Sequence, residues 1–150
     1  RRTVRFQVQE MARVERLISD QAVEAELQVY NPLIPEPGQL CATLFVELTS
    51  DAALRRWLPL LVGIERAMSL RLADGQQVAA RVDEDHAKQL TRDEVTASVH
   101  FVRWELTAEQ VEAFAAGPVA LVSTHPHYTV ESPLRDVTHA ELVADLRQGG

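Results

Sequence analysis

A carboxylate set inside an apolar helical stripe is a candidate for chemistry, and Glu15 holds that position. At about 100° per residue, Val4, Val8, Met11 and Ile18 share one narrow arc, and Glu15 falls between Met11 and Val8 on it. Burying a carboxylate alone is costly, so it must find a partner, reach a wet cavity or stay protonated. Gln7 lies two turns earlier near the same face. Two readings stay open. Glu15 is a metal ligand or an acid–base group tuned by burial, or it forms a salt bridge or capping contact inside the fold, with Arg103 as a plausible partner.

His100 is expected to be buried, because its strand neighbours are mostly apolar. It is either a satisfied core histidine or, if Glu15 or Glu47 lies close, part of a set able to hold iron, manganese or zinc. His125 and His127 flank Pro126, and in an extended segment they project to one side. That pair can chelate, yet it lacks a spaced third ligand, and a surface loop shaped by Pro126 is the favoured explanation. Asp83, Glu84, Asp85 and His86 lack the glycine and spacing of a calcium loop and read as a solvated turn. No glycine-rich phosphate loop, G-x-S-x-G, H-E-x-x-H or paired C-x-x-C is present. Cys41 stands beside the buried face of a strand and is read as structural.

The elements that position these groups follow from hydrophobic period. Thr3 caps a helix to about Ile18, Ser19-Asp20 breaks it, and Val23, Leu27 and Tyr30 mark a second helix. Asn31-Pro32, Pro35, Pro37 and Gly38 form a loop that neither helix nor sheet tolerates. From Leu40 the period changes to two, giving a strand to Leu48. Ser50-Asp51 starts a helix that Pro59 shortens and Gly63 ends. Ile64 to Ala73 alternates again, and Asp74-Gly75 is a two-residue hairpin turn into Val78, Ala80 and Val82. Ala97 to Leu106 is apolar on both faces, as a central strand is. Thr107 and Gln110 make a capping box for a short helix closed by Gly117-Pro118. Val119 to Thr124 gives a last strand, and a second box at Thr138 and Glu141 opens a C-terminal helix.

The expected architecture is one α+β domain over 1–150. A helical arm (1–30) precedes a mixed, mostly antiparallel sheet of about five strands with crossover helices on one face (40–124) and a C-terminal helix (138–148). A ferredoxin-like split β-α-β is the nearest common arrangement. Glu47, Glu65, Arg71 and Arg81 share the strand parity opposite the main core, so that second face is too polar to close. It is solvated, covered by the arm or used by a partner.

With 150 residues, 46% hydrophobic and 25% charged, the chain has ordinary globular composition. Its net charge of −7 disfavours nucleic acid as partner. A single cysteine forbids an intrachain disulfide and fits a reducing, cytoplasmic setting. No apolar run reaches the ~20 residues that span a bilayer, and no signal peptide is visible, although the chain opens on Arg1.

Three stretches carry a resemblance: Val4 to Met11 running into Arg13-Val14-Glu15-Arg16; Tyr30-Asn31-Pro32-Leu33-Ile34-Pro35; and Val99-His100-Phe101 with Arg103. With Gly63-Ile64-Glu65 and His125-Pro126, the chain resembles the bacterial domain-of-unknown-function family 3501 over nearly its whole length. It departs from that family in lacking an upstream segment of a few dozen residues before Arg1. Members resemble small soluble proteins encoded beside rubrerythrin and iron–sulfur oxidoreductase genes. The resemblance therefore implies a role in oxidative stress or iron handling, with no catalytic residues to carry over.

Three functions are in play. One is an accessory or binding protein acting through a protein partner or as a homodimer. The second is a metal-dependent enzyme or sensor, with Glu15, His100 and His125, and Glu47 as a further ligand. The third is a small-molecule pocket between arm and sheet, with Gln7, Glu15, Glu47 and Arg103 reading a polar ligand.

Overall fold

The structure is a computed structural model that describes residues 6, 9, 34–84 and 95–148. Of the expected arm, Phe6 and Gln9 are described and helical. Glu15 and Gln7 lie outside the described residues, and so does the expected contact of Glu15 with Arg103.

Strand β1 (Gln39–Phe45) pairs antiparallel with β4 (Val99–Glu105), in a register that sets Leu40 opposite Trp104 and Leu44 opposite His100. A second sheet runs β3 (Gln77–Ala79), β2 (Met68–Arg71), β5 (Ala120–His125), β6 (Tyr128–Pro133). Arg81, just past β3, exchanges backbone hydrogen bonds with Arg103 on β4, at 2.6 and 2.9 Å. That bridge ties the two sheets. Every pairing among the described residues is antiparallel, so the expected single mixed sheet gives way to sheets of two and four strands. A split β-α-β needs a parallel pair; here the crossover from β1 leads into the other sheet instead.

Local chemistry accounts for the element ends. Ser50 Oγ accepts from Ala53 N and caps α1 (Asp51–Trp57), whose regular turns stop two residues before Pro59. Thr107 and Gln110 form both halves of the capping box on α2 (Ala108–Ala116), as the sequence predicts. The last helix, α3 (Asp136–Gln148), begins two residues ahead of the expected Thr138. Leu72 N bonds Gln76 O, so the Asp74-Gly75 hairpin has a three-residue loop with Gly75 at φ 88°, the left-handed position such loops reserve for glycine.

One apolar core joins both sheets to the helices. Leu40, Leu70, Val78, Val102 and Trp104 from the strands meet Val111 and Phe114 of α2 and Leu146 of α3. Phe114 is fully buried, and its ring stacks on His139 of α3 at 5.2 Å while its carbonyl bonds His139 Nε2 at 2.7 Å. The helix pair is thus fastened by packing and by one polar contact. Leu106 N→Gly38 O and Gly38 N→Leu146 O, each 2.8 Å, then anchor α3 to the start of β1 and the end of β4.

Candidate functional site

On β4 the core face carries His100, Val102 and Trp104 in alternation, so His100 is buried as its neighbours predict. Its Nε2 lies 2.9 Å from the Ala97 carbonyl and 2.8 Å from the buried Thr96 hydroxyl. A carbonyl only accepts, so Nε2 carries the hydrogen and Nδ1 is turned the other way. What it meets is Glu65 Oε2, at 3.9 Å.

Glu65 was expected on the polar outer face of a strand. It is instead 3% exposed, because the chain enters β2 through a 3-10 turn (Ile64–Arg66) that follows Gly63 at φ 87°. The left-handed residue reverses the side-chain parity assumed for an uninterrupted strand. Glu65 Oε2 is buried without a hydrogen-bond partner, since 3.9 Å is ion-pair distance and too long for a hydrogen bond. Its Oε1 stands 3.9 Å from Arg66 Nε, and Arg66 in turn holds Glu84 through two bonds of 2.7 and 2.8 Å. The Glu84 carboxylate, by that hydrogen bonding, raises the Arg66 guanidinium above its ordinary value; burial opposes it, and the charges of Glu84 and Glu65 add to it.

His125 secures the same turn from the other sheet. Its Nε2 donates to Val62 O at 2.9 Å and its Nδ1 accepts from His127 N at 3.1 Å. Both ring nitrogens are engaged, so the ring as placed offers a metal no lone pair. The expected surface loop at 125–128 is a tight turn, Pro126-His127, between β5 and β6, and His125 itself is buried. His127 is exposed, its ring 5.9 Å from that of His125. No three His, Cys, Asp or Glu among the described residues are grouped to hold a metal.

Beside the buried pair lies an apolar groove of about 440 Å³. Leu44 and Phe45 at the end of β1, with Trp57, Ile64, Met68 and Tyr128, line it, and Glu47 just beyond β1 does so too. Phe45 and Tyr128 are large and yet 58% and 53% exposed. Exposed rings around a concavity differ from scattered surface hydrophobics, because each leaves a face for an occupant. The volume lies in the range of small-molecule sites. Among the expected site residues, Glu47 is exposed and lines this groove, and His100 sits with Glu65 behind it; Arg103 lies half-buried further along β4.

Sequence reasoning missed Glu65, Thr96 and the groove. Gly63 before Ile64-Glu65 was the available sign of a turn. Thr96 stands four residues before His100 with nothing local to mark it.

What these observations define is an antiparallel α+β domain with an apolar groove and a buried carboxylate–imidazole pair. The family described as protein of unknown function (DUF3501) matches residues 1–146, and the chain belongs to it. A crystal structure of a protein of unknown function from Burkholderia pseudomallei is similar at 37% identity and a TM-score of 0.84, covering 96% of this chain and 75% of that one. Among curated proteins, none matches. Among the described residues no helix is long and apolar enough to cross a membrane.

Proposed function

We propose that this chain is a binding protein, and that the groove lined by Phe45 and Tyr128 receives the apolar part of its ligand. The observation that carries the reading is the exposure of those two rings in a concavity also lined by Ile64 and Met68. Leaving such surface bare costs about 25 cal/mol per Å² relative to covering it, so an occupant gains by entering. The proposed ligand site sits against the end of β1. The rubrerythrin and iron–sulfur setting implied by the resemblance gives the physiological form of the proposal, an accessory protein of oxidative-stress or iron handling.

The direct test is titration with a neutral fluorescent apolar probe, N-phenyl-1-naphthylamine. Saturable binding that Phe45→Ser and Tyr128→Ser each weaken supports the groove. Equal binding by all three proteins contradicts it.

A second reading, a metal-dependent enzyme or sensor, draws on the buried Glu65 Oε2 without a partner facing the Nδ1 edge of His100. A ring whose Nε2–H is pinned by a carbonyl is oriented as metal-binding histidines are. Glu15 and His125 complete that proposal, His125 only after giving up one of its two bonds. Elemental analysis of protein purified without chelator decides it. Substoichiometric iron, manganese and zinc, with an unmoved melting temperature when each is added, removes the reading.

A further inference from the structure

Resting on the groove reading, we infer that the occupant is an apolar organic cation: a hydrocarbon or aromatic body carrying an ammonium group. Three of the lining side chains, Phe45, Trp57 and Tyr128, are aromatic, and the single charged lining residue among those described is the carboxylate of Glu47. Aromatic faces attract cations through their quadrupole, and an exposed carboxylate adds an opposite charge without having to be buried. Trp57 already illustrates the preference, since the Arg56 guanidinium carbon lies 5.7 Å from its ring centroid. No lysine, arginine or histidine lines the groove among the described residues. An anionic amphiphile would meet Glu47, the one charged side chain lining the groove among the described residues, within a chain of net charge −7.

Each part of the site has a share in this selection. Leu61, Ile64 and Met68 supply apolar surface that any hydrocarbon needs, so they select for hydrophobicity alone. Glu47 is exposed and lines the same cleft, so a headgroup beside it stays hydrated. Apolar and charged lining together match a ligand that carries both.

The test displaces N-phenyl-1-naphthylamine from the full chain with decyltrimethylammonium, decanol and decanoate, each below its micelle concentration. The expected order is cation, then alcohol, then anion, with about a 3- to 10-fold advantage of cation over alcohol. Glu47→Gln is expected to reduce that advantage, the aromatic rings keeping the remainder. Glu36→Gln, an exposed carboxylate outside the groove, is expected to keep it. If alcohol and cation compete equally in the unaltered protein, the cation assignment is overturned and the groove stands. If the advantage is undiminished in Glu47→Gln, the lining carboxylate takes no part in the selection and the assignment is again overturned. If the probe does not bind at all, both the groove and its ligand class fall.

Discussion

Glu65 Oε2 and His100 Nδ1 face each other at 3.9 Å, both side chains almost wholly buried, and among the described residues no donor reaches that oxygen at hydrogen-bond distance. The pair joins the turn ahead of β2 to the core face of β4. Removing one member strands the other. His100→Leu is expected to destabilise the fold by about 1–3 kcal/mol, because it removes the ring's bonds to Ala97 O and the Thr96 hydroxyl and leaves those buried groups unpaired. Adding Glu65→Leu to it should recover a part of that loss. Urea unfolding of the two single variants and the double variant measures the coupling; additive losses would remove the pair as an interacting unit.

Gly63 sets the parity that turns Glu65 inward. At φ 87° a β-carbon meets nothing within 4 Å, so the cost of a side chain is backbone strain alone. Gly63→Ala should therefore destabilise by about 1–2 kcal/mol. An unchanged urea midpoint would show that the turn relaxes freely.

Fold and site were unequally legible in the sequence, for physical reasons. Period-two alternation found β1, the apolar run from Ala97 to Leu106 found β4, and the Thr107/Gln110 box gave the start of α2 to the residue, because those signals are local. Strand β6 was passed over, since all six of its residues are exposed and Pro126 and Pro133 bracket it. Its place in the sheet comes from pairing with β5, a non-local fact. The strand assumed from Ile64 onward hid Glu65, where one left-handed glycine overrode the alternation. Glu47 was singled out for polarity on an outward face, and the same exposure places it at the groove. The groove itself is built from residues 44 to 128, and no window of sequence brings Phe45 beside Tyr128.

Arg66 and Glu84 offer a pH test with a definite sign. A guanidinium whose folded-state pKa is raised contributes in full below its unfolded-state value and loses that contribution only as pH rises through the folded one. Between about pH 6 and pH 9, the stability difference between the unaltered chain and Glu84→Gln should stay constant. It should be small, below about 1 kcal/mol, because both side chains are half-exposed or more. Raising salt to about 1 M should shrink it further. A difference that grows with salt would contradict an ionic origin.

Phe114 is the buried hinge of the helix pair. Phe114→Ala should cost about 3–5 kcal/mol. It should also free the His139 ring that stacks on it. Thermal unfolding with His139 ring resonances as reporter checks both; a loss below about 1 kcal/mol would mean the core closes over the gap.

The central claim, that the groove is where this protein binds, is tested most directly by amide chemical-shift mapping during titration with the neutral probe. The account predicts saturable shifts confined to residues 44–48, 57–64, 68 and 128. Shifts centred instead on α2 and α3, or scattered over the surface without saturation, would contradict it.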